Sequence, residues 1–145
     1  MILAALAAIG PVPMACCTYV ERVLGRAYGP TVVAVGLTSN WNLWYPDKDP
    51  WSPVTAAALA GIGQVTATPA PGAWHVVQGW RTEPSTLGSG HTFLLFVGID
   101  GRCLLAESVL QRPAAVRHVT IADLEREFTH GLRYARLRRT PSNDT

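Results

Sequence analysis

Apolar positions follow two rhythms along this chain, a helical one in its first part and an extended one after residue 72. Residues 1–9 (MILAALAAI) form an unbroken apolar run that predicts a short buried helix packed under the site, stopped by Gly10-Pro11-Val12-Pro13. In residues 15–27, Val20, Val23, Leu24 and Ala27 recur at helical spacing while Glu21, Arg22 and Arg26 take the wet side. This predicts an amphipathic second helix ended by Tyr28-Gly29-Pro30. Residues 31–53 carry no period and are rich in Trp, Asn, Asp and Pro. Residues 52–61 predict a third helix, with Ser52 as N-cap, Pro53 at its first position and Gly61 just past its end. Strands follow at 73–80, after Pro71-Gly72, then at 91–98 and 102–109, the last two joined as a hairpin by Asp100-Gly101. A short strand at 116–119, a helix at 120–129 capped by Thr120, a final strand at 132–138 and a disordered tail at 141–145 complete the expectation. Helices come first and an antiparallel sheet second, which is an α+β arrangement in a single domain of residues 1–140.

Composition narrows the function. With 145 residues, 48% of them apolar, the chain can build a core without disulfides or bound metal. A net charge of +2, with no basic stripe interleaved with aromatics, argues against nucleic acid as a partner. The one basic cluster, Arg133 to Arg139, reads as a solvated face or strand edge. The opening apolar run is too short to span a bilayer and lacks the positive start of a signal peptide, so neither a stable membrane span nor a leader is expected. A cytoplasmic location and delivery to a cell wall by another route both stay open. Three cysteines, two of them adjacent, make neither a disulfide framework nor a zinc site, and an odd count points to a free thiol. No metal and no cofactor are expected.

Where the thiol falls gives it chemistry. The Gly10–Pro13 stop delays the helix so that its first turn falls on Cys16 and Cys17. There, unpaired N–H groups and the helix dipole favour a thiolate. Positions 16, 20, 23 and 27 line one helix face, which favours Cys16; Cys17 shares a face with Val20 and Leu24 and stays the alternate. A base is offered by His91, which stands at the mouth of an apolar strand after Gly88-Ser89-Gly90, where glycine lets a substrate backbone approach closely. The return strand supplies the group that would orient the imidazole, and hairpin register decides which. A three-residue loop of Ile99, Asp100 and Gly101 pairs Gly98 with Arg102 and puts Glu107 on the His91 face as a diagonal neighbour. A two-residue loop brings Ser108 there instead. Glu107 is preferred because a carboxylate stabilises imidazolium.

These residues together resemble the papain-like superfamily of NlpC-type and CHAP amidases. In those families the nucleophilic Cys is commonly followed by an aromatic at +3 and often by an aliphatic at +4, which Tyr19 and Val20 match when counted from Cys16. Ser52 to Gly61 and Pro71-Gly72 resemble the connecting helix and the turn that opens the first core strand. Gly90-His91 resembles the catalytic histidine strand, and Glu107 falls where CHAP-like members place a glutamate. The match runs through residues 11–110 in order and spacing. Ala15, Ala73 and Val109 depart from it, standing where the pattern often has Asp or Asn. The resemblance implies a papain-like core and a thioacyl-enzyme route to hydrolysis of amide bonds in peptidoglycan peptides. The alternatives are an acyltransferase, transglutaminase or deamidase on the same scaffold, or a non-catalytic binding domain of this fold.

Other side chains are weighed by position. Trp41, Trp44 and Trp51 are candidates to line a substrate groove or, equally, to cap the core. Gln78 is a candidate to polarise a substrate carbonyl, against a default as a satisfied sheet residue. His75, the rival base, reads as a core or edge histidine; His118, His130 and Cys103 read as structural, and Trp74 and Trp80 as packing inside.

Overall fold

Strands 73–80 and 91–98 show little clean alternation in the sequence, and the reason is that both faces of the sheet they form are covered. A computed structural model describes residues 2–29, 53–83, 90–109 and 112–139. Its elements are α1 (Ile2–Ile9), α2 (Cys16–Tyr28), α3 (Pro53–Leu59), β1 (Gly63–Thr66), β2 (Ala73–Trp80), β3 (Gly90–Val97), β4 (Arg102–Val109), β5 (Arg112–Thr120), α4 (Ile121–Glu127) and β6 (Leu132–Leu137). The six strands form one antiparallel sheet in the order β1-β6-β2-β3-β4-β5. The architecture is therefore α+β, as the order of the predicted elements implies.

Two cores result, one on each face. On the first, Val20, Val23 and Leu24 of α2 and Val54, Ala56 and Ala57 of α3 are wholly buried against Val76, Leu94, Ala106 and Ala135. Each fully buried aliphatic side chain contributes about 1.5–3 kcal/mol, so the α2 stripe alone fixes that helix to the sheet. On the second, Val77, Phe93, Leu95, Leu105 and Tyr134 meet Leu124 and Phe128 at the end of α4. Neighbouring strand residues alternate between these two cores, which assigns every side chain of β2, β3, β4 and β6 to the α2 face or the α4 face.

The helix ends follow local chemistry. α2 begins one residue later than expected, after Ala15, which supplies no side-chain cap, and ends where the Gly29 N–H bonds to the Gly25 carbonyl. α4 opens on a capping box: the Thr120 hydroxyl accepts from the Asp123 N–H, and the Asp123 carboxylate accepts from the Thr120 N–H. The β3–β4 hairpin uses the three-residue loop. The Gly98 N–H donates to the Arg102 carbonyl at 2.8 Å, and Gly101 adopts a φ of 84° that only glycine takes without strain.

Several expectations are corrected. β1 has no counterpart in the sequence reading; four residues (GQVT) with no buried side chain leave no periodic signal. β5 is nine residues long rather than four, because an edge strand with only Val119 buried shows no apolar alternation. The arginines of β6 do not mark a sheet edge: that strand lies between β1 and β2. Glu21 is half-buried rather than solvated, and burial raises its carboxyl pKa against the opposing charge of Arg22. α1 does not lie under the predicted site; it packs on α2, with Ile2, Ala5 and Leu6 buried. Trp41, Trp44, Trp51, the Ser52 cap, Gly88-Ser89 and the 141–145 tail fall outside the described residues. Among the described residues no helix is long and apolar enough to cross a membrane.

Candidate active site

The hairpin loop sets the site. With Gly98 opposite Arg102, the ladder runs Val97↔Cys103 to Leu94↔Ala106, so odd-numbered residues of β3 share the α4 face with odd-numbered residues of β4. Along that register Glu107 reaches His91, its Oε1 2.8 Å from His91 Nε2. The ladder then stops. Both strands continue, to Gly90 and Val109, but no pairing links them beyond Leu94 and Ala106. The sheet is therefore split between β3 and β4 at this end, and the split is where the start of α2 arrives.

Two contacts guide it there. Ser108, on the α2 face, accepts a hydrogen bond from the Met14 N–H at 3.0 Å and donates to the Val12 carbonyl at 3.4 Å. Its hydroxyl thus ties the segment before α2 to β4. Cys16, the first residue of α2, then meets the backbone N–H of Thr92, which the absent β4 pairing leaves available, and the His91 imidazole. A thiol from a helix on one face reaches an imidazole that belongs to the other face because the strands have parted between them.

The electrostatics follow from these contacts. Cys16 is lowered far below the ordinary thiol range, to about 4. The Cys17 thiol donating to it is the largest cause, burial opposes, and the His91 imidazole and Thr92 N–H add to the lowering. Cys17 moves the other way, raised by its hydrogen bond to Cys16 and by burial. Burial by itself would lower His91, which is 3% exposed, but hydrogen bonds and charges from Cys16 and Glu107 outweigh it and the imidazole pKa is raised. Glu107 is likewise pushed up by burial and pulled down further by His91 and Arg117, to about 2. Thiolate, imidazolium, carboxylate and guanidinium thus alternate in sign. Since Nε2 faces Glu107, Nδ1 is the ring nitrogen left for the sulfur.

Packing fixes the ring. The Phe128 ring lies nearly parallel to the imidazole, at 18° and 6.3 Å between centroids, and Phe93 sits at 5.6 Å. Gly79, directly across from His91 on β2, makes this possible: a Cβ there would lie 2.7 Å from two carbons of Phe128. At the start of α2 the first helical bond is from the Tyr19 N–H to the Ala15 carbonyl. With no side-chain cap from Ala15, the N–H groups of the first turn face no competing acceptor from that residue.

Of the sequence candidates, Cys16, His91 and Glu107 come together, and Cys16 is partly exposed. Cys17 is buried and borders Cys16 and Glu21 rather than the histidine. Ser108 does not reach His91, because the three-residue loop turns it to the opposite face, where it anchors the loop before α2. Gly90 opens β3, paired with Trp80. Gln78 is wholly buried on the α2 face, between Thr92 and Arg133 in register. His75 is no rival base. It lies on the α4 face against Tyr134, accepts at Nε2 from the Ala70 N–H at 2.9 Å, and is held below the ordinary histidine range by burial. Cys103 is buried in the hairpin, while His118 and His130 are exposed. A cavity of about 840 Å³ floored by Trp74, Phe96 and Leu104 lies at the other end of the sheet. It is about 17 Å from His91 along β3, five residues at about 3.4 Å each.

The sequence reading missed Arg117, Phe128 and the Thr92 N–H. For Arg117 a signal existed: in the expected 116–119 strand it sits opposite Leu105, on the same face as Glu107. Its Nε donates to Glu107 Oε2 at 2.9 Å. Comparison of the chain with family models, with curated proteins and with solved structures returned no match.

Proposed function

We propose that the protein is a cysteine-dependent amidase or endopeptidase on a papain-like core, cleaving amide bonds through a thioacyl-enzyme, with peptidoglycan peptides as the substrate class. The observation that carries the reading is the relay of Cys16, His91 and Glu107: a partly exposed thiol favoured as thiolate, an imidazole favoured as imidazolium, and a carboxylate 2.8 Å from its far nitrogen. The peptidoglycan assignment rests on the sequence resemblance alone.

The chemistry follows from those groups. The Cys16 thiolate attacks the substrate carbonyl carbon, and charge develops on the carbonyl oxygen, where first-turn N–H groups of α2 are positioned to donate. The tetrahedral species collapses as His91 gives its proton to the leaving amine, leaving a thioester on Cys16. Neutral His91 then takes a proton from water, the hydroxide adds to the thioester, and Cys16 departs as thiolate while His91 is again imidazolium. Glu107 holds the ring through Nε2–H in every step and keeps its charge.

The test is hydrolysis of purified cell walls and of a wall stem peptide, followed by turbidity and by mass spectrometry of released amines. Wild type is expected to cleave; Cys16→Ala and His91→Ala are expected to lose at least about 1000-fold, and Cys17→Ala to keep cleaving at neutral pH with the acid limb of its pH profile moved up, since its hydrogen bond to Cys16 is lost. Full activity of Cys16→Ala, or no cleavage of any wall or peptide amide by a protein whose Cys16 forms no thioester, overturns the reading.

A further inference from the structure

The imidazole is enclosed by more charge than the relay uses. Glu107 divides its two oxygens: Oε1 faces His91 Nε2 at 2.8 Å, and Oε2 accepts from Arg117 Nε at 2.9 Å. Arg117 also lies 3.9 Å from Glu127 of α4. Glu127 is held in turn by Arg81, just past β2, at 2.5 Å, and the Arg81 guanidinium sits 4.8 Å above the Phe128 ring that stacks on His91. Residues from β3, β4, β5, α4 and the end of β2 thus close a circuit around one imidazole. The charged groups that meet the imidazole are Cys16 from α2 and Glu107 from β4; Arg117 from β5 reaches it through Glu107, with Glu127 and Arg81 behind and Cys17 beside the thiol.

We infer that Arg117 is a positioning residue for the Cys16–His91 pair: by occupying Oε2 it fixes the rotation of the Glu107 carboxylate, presents Oε1 to His91 Nε2, and sets the pH range over which the pair stays charged. The inference rests on the reading of Cys16 and His91 as the reacting pair. A carboxylate on a strand has freedom about its last torsion, and a single hydrogen bond to a ring leaves it free to swing; a second donor on the other oxygen removes that freedom. The partners are also chemically matched. His91 Nε2–H and Arg117 Nε–H both donate, and a carboxylate offers each of them its own acceptor oxygen. Arg117 further supplies a positive charge on the far side of the carboxylate that holds the ring. Removing a positive charge raises the pKa of every nearby acid, so its loss shifts Cys16, His91 and Glu107 upward together.

The test is the rate of alkylation of Cys16 by iodoacetamide between pH 3 and 10, read at that residue by peptide mass spectrometry, in the whole protein and its variants. In wild type the rate is expected to rise with a midpoint well below that of a free thiol, and His91→Ala is expected to move that midpoint up. Arg117→Gln should move the wild-type midpoint up by about half to one pH unit, and Arg117→Lys should restore most of that shift. Glu127→Gln removes a negative charge from the same circuit and should move the midpoint in the opposite direction. Opposite shifts from two substitutions on one circuit are not a signature of structural damage, which lowers amplitude at every pH alike. A wild-type and His91→Ala pair that behave as expected beside an Arg117→Gln midpoint that does not move overturns the role of Arg117 alone. A wild-type thiol with an ordinary midpoint that is indifferent to His91→Ala overturns the reacting pair and this role together.

Discussion

Glu107→Gln offers the sharpest test of the electrostatics, because the substitution preserves shape and removes one charge. Glu107 lies in a setting where burial would raise its carboxyl, yet His91 and Arg117 pull it from an ordinary 4.5 to about 2. Its side chain is 16% exposed, so solvent screening is limited. A group whose folded pKa is depressed contributes stability above its unfolded pKa and loses it as pH falls through the folded one. At about 1.4 kcal/mol per pH unit, the contribution is about 3 kcal/mol at pH 7, begins to fall below pH 4.5 and is reduced to about 1 kcal/mol at pH 3. Glutamine cannot replace it: its amide offers one acceptor and one donor to two partners that both donate, so one of the bonds to His91 Nε2 and Arg117 Nε becomes a clash of hydrogens. Urea denaturation of wild type and Glu107→Gln at pH 7 and pH 3 measures the difference. A gap of about 3 kcal/mol that narrows on acidification supports the account. A gap below about 1 kcal/mol at pH 7, or one that is the same at both pH values, refutes it.

Three further outcomes follow from the packing and hydrogen bonds around the site and its supporting strands. Gly79→Ala places a Cβ 2.7 Å from the Phe128 ring; it should cost about 1–3 kcal/mol by overpacking and displace the ring from His91, so an unchanged urea midpoint refutes the packing described. Ser108→Ala strips the acceptor from the Met14 N–H; a loss of about 1–3 kcal/mol and faster hydrogen exchange at the Met14 amide are expected, and exchange at the wild-type rate refutes the tether. His75, whose Nε2 accepts from the Ala70 N–H and which burial lowers, should titrate below free histidine in an NMR pH series, with the neutral-form proton on Nδ1. Its contribution to stability is present above the ordinary value of about 6.5 and is lost as pH falls; a midpoint at or above that value refutes this.

What the sequence made legible was the part written in local chemistry. The Gly10–Pro13 stop dictated where α2 begins to within one residue, and Asp100-Gly101 marked the hairpin; its loop length stayed open between two and three residues, and the three-residue loop found here turns Glu107 rather than Ser108 to His91. Each is a short-range consequence of backbone restrictions and needs no knowledge of the rest of the fold. The losses were where packing partners lie far apart in the chain. β1 and β5 are edge strands whose residues face solvent, so no period marks them. Phe128 meets His91 across 37 positions, and its approach depends on the missing side chain of Gly79, which in the sequence reads only as an unexplained glycine in a strand.

The splitting of β3 from β4 is the feature on which the rest turns. In an unbroken sheet a side chain on one face cannot touch a helix packed on the other, and His91 belongs by register to the α4 face while α2 covers the opposite one. Had the ladder continued past Leu94 and Ala106, the Thr92 N–H would have been available to β4, and Cys16 would have met backbone instead of an imidazole. The split lets one element supply a thiol with the start of a helix behind it and another supply a base anchored by Phe128, Glu107 and Arg117. The two faces thus have separate duties. The α2 face carries the thiol and its tether through Ser108, and the α4 face carries the groups that hold the imidazole. Substitutions on the α4 face should therefore change the protonation of the pair without moving α2, while those at Ser108 should move the thiol without changing the proton affinity of Glu107. A pH profile and a hydrogen-exchange map taken on the same variants separate the two. If both kinds of substitution altered both readouts equally, the division of labour across the split would be wrong.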